Sequence, residues 1–333
     1  MIEWTTGMLF LLAKLAVVLG VLLLTAAYLV LIERKFLARL QIRYGPNRAG
    51  PYGLLQPLAD GLKLIVKEDI VPAAADRWIF LVAPVVVTLT ALLMFAVVPL
   101  GRDLVVLGRP VPMVISDLNV GLLFVFALSS LGVYGVALGG WASNSKFSLL
   151  GGIRGAAQMI SYELSIGLSL VPVVMLAGSF SLVDIVNAQA GSWFLLVQPV
   201  SFAIFLVAAM AEIKRIPFDL PEAENELGAG YHTEYSGMRF GLFFLGEYVH
   251  MQVLGALIAV FFLGGWRGPL LPPPVWLFVK VLAVALFMIW VRGTLPRLRY
   301  DQLMALGWKV LVPAALVNIV VTGACLLLWG RPT

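Results

Sequence analysis

The chain has 333 residues with 61% apolar and only 12% charged side chains, and its mean hydropathy is +0.98. Soluble domains carry about 25% charged residues, so a globule of this size lacks the charge to coat itself, which excludes a cytosolic enzyme, a disordered chain and a nucleic-acid binder. The net charge of +5 reads as membrane orientation rather than a phosphate footprint. A lone cysteine, Cys325, excludes a disulfide framework, a zinc site or an iron–sulfur cluster held by this chain alone, and two histidines leave little room for bis-histidine haem.

A helix needs about 20 apolar residues to cross the hydrocarbon. Eight stretches qualify, near 9–32, 78–100, 118–138, 156–177, 193–211, 241–263, 274–291 and 308–329. The fold class predicted is all-α, a single polytopic domain over 1–333, because apolar runs this long do not alternate as barrel strands do. The first run is no cleaved signal peptide: its positive charges, Arg34, Lys35 and Arg39, follow it. Loops after odd-numbered spans hold 17 basic residues. The opposite side holds 4, Arg102, Arg109, Arg267 and Arg331. That bias places both termini outside and the long loops in the cytoplasm. Lys14 in the first span is expected to snorkel outward.

Where the first span ends stand Glu33, Arg34 and Lys35, which read on their own as an interfacial anchor with Glu33 paired to its basic neighbours. A Gly- and Pro-bearing turn over 44–50 follows, flanked by Arg43 and carrying Arg48. Residues 51–68 are amphipathic. Leu54, Leu55, Leu58, Leu62, Ile65 and Val66 share one stripe, with Gln56, Asp60, Lys63 and Lys67 on the other, the period of a helix lying in the interface plane. Its position under the first span lets it wall a cavity open to lipid.

Glu163 in the fourth span and Glu247 in the sixth each lie eight residues past a cytoplasmic boundary, about 12 Å inside and at equal depth. Glu212 ends the fifth span at the cytoplasmic edge, and His250 lies one turn past Glu247. Carboxyls this deep are neutralised, paired or on a hydrated route, and suit a proton relay. The loop 212–240 spaces Asp219, Glu222, Glu224 and Glu226 among Pro217, Pro221 and five ring-bearing residues, the composition of a docking or cavity-lining segment. Lys280 is expected near mid-membrane, as a carboxylate partner or an internal cation of a proton path.

Two long stretches carry a resemblance. Glu33-Arg34-Lys35, continuing through Gln41-Ile42-Arg43-Tyr44-Gly45-Pro46-Asn47-Arg48-Ala49-Gly50, and Ile213-Lys-Arg-Ile-Pro-Phe-Asp219-Leu-Pro-Glu222-Ala-Glu224, resemble signatures of the H-subunit family of proton-pumping NADH:quinone oxidoreductases, respiratory complex I. The segments 140–146, Ser161-Tyr-Glu163 and 295–303 fit as well, so the likeness runs from about 25 to 325. The resemblance implies a non-redox membrane subunit, one that builds part of a quinone chamber from the first span, the interfacial helix and the 212–240 loop. It further implies coupling of quinone reduction to proton translocation through Glu163, Glu212 and Glu247. Glu33, Arg34, Lys35, Arg43, Arg48, Asp60, Lys63, Asp219, Glu222, Glu224 and Glu226 are the chamber and coupling candidates. At the third span the chain offers only Ser129 and Ser130, so a relay there uses hydroxyls or water.

The family's substrate is quinone. The resemblance places flavin and iron–sulfur clusters in partner subunits, none on this chain, and no strand–GxGxxG–helix unit exists for NAD. Expected partners are peripheral-arm redox subunits, small neighbouring membrane subunits, antiporter-like subunits and the lipid of a bacterial inner membrane. The alternatives are the equivalent component of a related membrane-bound hydrogenase or dehydrogenase, and a stand-alone cation/proton antiporter, which would need neither the acidic loop nor the lateral helix.

Overall fold

The structure, a computed structural model, describes residues 2–102, 104–106 and 109–329, with the side chains of 2–9, 104–106, 109–110, 224 and 329 excepted. Arg331 and the side chains of Arg109 and Glu224, all named above, lie outside the described residues. The elements run α1 Ile2–Leu40, α2 Gln56–Val66, α3 Arg77–Met94, the two-stranded antiparallel hairpin β1 Leu104–Val106 and β2 Arg109–Val111, then α4 Gly121–Ala142 and α5 Lys146–Ala177. Next come α6 Leu182–Ala188, α7 Phe194–Val197, α8 Pro199–Glu212, α9 Glu224–Leu227, α10 Gly237–Phe262, α11 Pro273–Thr294, α12 Tyr300–Ala305 and α13 Val312–Trp329. A π-helical turn over Leu306–Leu311 joins the last two.

Among the described residues seven helices are long and apolar enough to cross a bilayer, namely α1, α3, α4, α5, α10, α11 and the continuous α12–α13 stretch. The other predicted crossing, 193–211, is split. Pro199 starts α8 after Gln198, and α8 alone has 14 residues, about 21 Å of rise, so α7 and the bend at Gln198 are needed to complete the passage. The chain is an integral membrane protein.

Two predicted spans are too short. Helix α1 continues from 32 through Leu40, and α5 begins at Lys146 instead of 156. Polar residues at those ends broke the apolar run without breaking the helix. The 32 residues of α5 rise about 48 Å against a hydrocarbon core of about 30 Å, so its first turns leave the membrane and carry the loop 212–240. A Cβ at Gly151 would stand 2.6 Å from Tyr231 N, and one at Gly230, whose φ is +64°, would collide with Pro221 O. Glycine at both places lets the loop lie directly on α5.

Helix α10 is the hub. Every residue from Met251 to Phe262 is buried, the all-round apolarity of a helix enclosed by others. Helix α2 has no buried residue, and Leu58 and Leu62 are open at 62% and 54%. Its predicted range 51–68 resolves into a tight turn at Pro51–Gly53 and the helix proper, with Pro57 in its first turn. The other end is pinned to α10, where Arg239 pairs with Asp69 at 3.0 Å and Ser236 Oγ accepts from the Ile70 amide.

Opposite ends of the bundle hold the loops 178–193 and 212–240, because α8 runs between them. In a Cys325→Ser background, cysteines replacing Ser192 and Asn225, both exposed, are expected to react with a membrane-impermeant maleimide from opposite faces of sealed vesicles. Labelling of both from one face would refute the topology.

Candidate functional site: a buried ion-pair array leading to two glutamates

The site begins where α1 leaves the bilayer. On a helix, consecutive residues face different ways, so Glu33 and its basic neighbours diverge. The expectation that Glu33 pairs with Arg34 and Lys35 is overturned. Arg34 turns out to Asp60 of α2 at 2.6 Å, and Lys35 donates to the Tyr52 carbonyl. Glu33 turns in, is buried, and binds Arg215, Arg292 and the Tyr248 hydroxyl, the last at 2.9 Å. These two ion pairs join α1 to the segment after α8 and to the end of α11.

Arg215 is the centre of the array. One guanidinium nitrogen binds Glu33, Nε binds Glu247, and the plane lies 4.1 Å from the Tyr248 ring centroid. A planar fork can serve two carboxylates and stack on an aromatic face at once, which an ammonium cannot. Gln158 of α5 fixes the backbone that delivers it. Its amide donates to Ala211 O at 2.6 Å and Phe218 O at 2.7 Å, tying the end of α8 and the loop to one side chain.

Beyond Glu247 the polar groups continue into the bundle. His250 Nε2 stands 3.5 Å from Glu212 Oε1, and Glu212 accepts from Ser129 of α4. The next residue, Ser130, donates to Glu163 of α5 at 2.5 Å. Adjacent serines on one helix thus hold two glutamates from different helices at nearly one level. Glu163 thus shares a level with Glu212 through the two serines, while Glu247 sits against Arg215.

A cavity of about 20 Å³ lies between Glu247, His250, Glu212, Ser129 and Lys214. That is room for one water, and the polar lining would hold it. On the far side Glu163 borders an open hollow beside Phe126, Leu168 and Trp308.

The loop 212–240 closes over the array. Burial pulls the Lys214 ammonium below its ordinary range, against the opposing pull of Glu247, Glu222, Asp219 and Glu212, and it lies over the Tyr231 ring at 4.9 Å. Burial also lowers His232 to about 4, which keeps it neutral near pH 7, and its Nδ1 lies 3.9 Å from Glu222. Burial raises Asp219, with Arg297 pulling the other way. Glu222 is raised by burial, then by Glu247 and Asp219, to about 8 from an ordinary 4.5. The folded protein therefore takes up a proton between those values, and the stability Glu222 contributes is lost as pH rises through about 8. Amide exchange over 219–232 is expected to quicken, beyond its intrinsic pH dependence, between about pH 5 and about pH 8, and Glu222→Gln should flatten that rise. Parallel profiles for the two proteins would clear Glu222 of the effect.

The remaining candidates separate. Glu226 faces solvent and pairs with Arg154 at 2.6 Å, while Arg43, Arg48 and Lys63 do not join the array. Lys280 is not brought to the carboxylates. Its Nζ donates to the carbonyls of Leu263, Gly265 and Arg267 at 2.6, 2.8 and 2.7 Å, near the rings of Trp193 and Trp276. All three ammonium protons are used to close the end of α10, and among the described residues no carboxylate pairs with Lys280. Lys14 reaches Pro112 O at 2.8 Å in the loop before α4. Among the described residues no three His, Cys, Asp or Glu side chains are placed to hold a metal.

Arg215 and Arg292 escaped the sequence reading. A signal existed for one of them: a carboxylate as deep as Glu247 demands a cation, and Arg215 is the arginine of the Ile213–Pro217 stretch just outside the membrane.

The family model described as NADH dehydrogenase matches residues 13–323. An H subunit of NADH-quinone oxidoreductase from Syntrophobacter fumaroxidans, the second of that name there, is 75% identical, covering 99% of this chain and 100% of the relative. The second H subunit of Geobacter sulfurreducens is 66% identical over 95% of this chain and 96% of its own length. The H subunit of Thermomicrobium roseum is 54% identical over 94% and 95%.

Proposed function

The chain belongs to the H-subunit family of NADH-quinone oxidoreductases, and from that premise we propose that it walls a quinone chamber and converts quinone reduction into proton movement. One observation carries the reading. Glu33, Arg215, Glu247, His250, Glu212, Ser129, Ser130 and Glu163 form a nearly continuous polar line from the membrane surface to a hollow on the bundle's flank. Quinone arrives from lipid past α1 and the apolar face of α2, and its reduction creates negative charge that draws protons. The Glu33–Arg215–Glu247 pairs answer first, because strengthening or loosening one carboxylate's hold on the guanidinium changes the other's. A water between Glu247 and Glu212 carries the change to the serine-held glutamates.

In this reading the chain binds no redox group of its own. Flavin and iron–sulfur clusters belong to peripheral partners docked on the loop 212–240, and small or antiporter-like membrane subunits meet the flank at Glu163. Both termini lie on the periplasmic side of the inner membrane, with the basic loops inside.

The test is on α2. Leu58→Asp or Leu62→Asp puts a carboxylate on the face turned to lipid, at a cost on the order of 1–3 kcal/mol. The complex is expected to assemble with a raised KM for quinone and weakened inhibition by quinone-site inhibitors. Wild-type KM and inhibition in both assembled variants would remove α2 from the chamber.

A further inference from the structure

A second cavity lies apart from the array and is not used by it. It is a groove of about 330 Å³ between α1 and α11, floored by α10, within the usual size range of small-molecule sites. Its mouth faces the bilayer, since Val17, Val21 and Phe278 on its rim are 65%, 52% and 48% exposed. No charged residue lines it, and its polar groups are Thr25, Tyr28 and Gln252.

Gln252 is the anomaly. It is only 6% exposed, and its Oε1 accepts from Thr25 while its Nε2 has no partner. A carboxamide buried in apolar surroundings costs free energy unless both ends are bonded. On α10 it lies 15 residues from one end and 10 from the other, about 22 and 15 Å, so it stands deep in the bilayer. Phospholipid ester carbonyls stay at the interface, too far away to answer it. An amphiphile that carries a carbonyl into the hydrocarbon would satisfy it.

We propose that this groove is a membrane-level station for an isoprenoid quinone, in which a ring carbonyl accepts from Gln252 and the ring rests between α1 and α11. The proposal rests on the quinone function above and adds a site that precedes the chamber. Tyr28 and Ile32 form the groove's far end, and Ile32 precedes Glu33 on α1, so a ring leaving the station in that direction reaches the level of the array. The aromatic rings of Phe95 and Phe278 flank the slot, and its open side admits the tail from lipid.

The probes are ubiquinone and menaquinone analogues carrying an azide on the ring, photolysed with the assembled complex in lipid nanodiscs. Label is expected on α1 within 17–28 and on α11 within 277–282, competed by the unlabelled quinone. It should be lost in Gln252→Leu, and also in Val21→Trp, which fills the groove from an exposed position and so stands in if the buried change impairs assembly. Loss of one hydrogen bond should raise KM for the long-tailed quinone by about three- to ten-fold, with kcat held and a water-soluble short-tailed quinone unaffected. A merely structural glutamine would move both substrates together. Normal turnover with no label in the groove, label unchanged by both variants, or capture there of a photoactivatable phospholipid that quinone cannot displace would each overturn the station while leaving the chamber standing. Failure of the chamber is read separately, from unchanged KM and inhibition in the assembled α2 variants.

Discussion

Replacing Arg215 with methionine is expected to be the most damaging single change in the protein. The guanidinium is buried and binds Glu33 and Glu247, both themselves enclosed. Removing one member of a buried ion pair costs about 3–5 kcal/mol, because the partner is left charged without water. Here two carboxylates lose their cation, although Glu33 keeps Arg292. Glu247 is the one stranded, so Arg215→Met should lower the yield of assembled complex several-fold and the melting temperature with it. Arg215→Lys keeps the charge but cannot fork to two carboxylates; assembly should largely return while turnover stays low. Adding Glu247→Gln to Arg215→Met should recover part of the stability, since the stranded charge is gone. Thermal scans and native gels of the three variants decide the matter. Full assembly and turnover in Arg215→Met alone would show that the array is incidental.

Glu247→Gln is expected to separate structure from coupling. Arg215 remains held by Glu33, and the amide oxygen can still accept from Nε, so packing should survive. What disappears is a group able to take and release a proton beside the small cavity shared with His250 and Glu212. A relay or acid–base group acting in the limiting step contributes about 10²–10⁴-fold. Quinone reduction and proton pumping should therefore fall together in a fully assembled complex, and Glu247→Asp should retain part of both. The control is Asp184→Asn on α6, a carboxylate away from the array that accepts from Ser179, which should be silent. Proton uptake in reconstituted vesicles at wild-type rate would end the relay role of Glu247.

How much of the site was legible varies from residue to residue. Glu163, Glu212 and Glu247 stood out because each interrupts an apolar run at a free-energy cost that needs a reason. Ser129 and Ser130 are the serines that α4 offers to a relay, and each does meet a glutamate. Lys280 stood out for the same reason as the glutamates, yet its reason is the end of α10: three carbonyls of the following turn converge on it. Intramembrane charge thus marks a residue as constrained without saying whether a proton or a backbone turn is the constraint.

Sequence by itself determined that this chain lives in a membrane, where its helices run to within about ten residues, that α2 is amphipathic, and which carboxylates are unusual. Those are local, additive properties, since transfer free energy sums along a helix and amphipathic period repeats every 3.6 residues. Only the tertiary structure decided the pairing. Glu33 meets Arg215 from 182 residues away and Arg292 from 259, while its neighbours Arg34 and Lys35 turn to α2 and the turn before it. The physical reason is that a buried charge is satisfied by whichever counter-charge the packed helices carry to it, and helix rotation sends adjacent residues to different faces. The groove at Gln252 is of the same kind, for it exists only where α1, α10 and α11 meet and has no mark in any one of them.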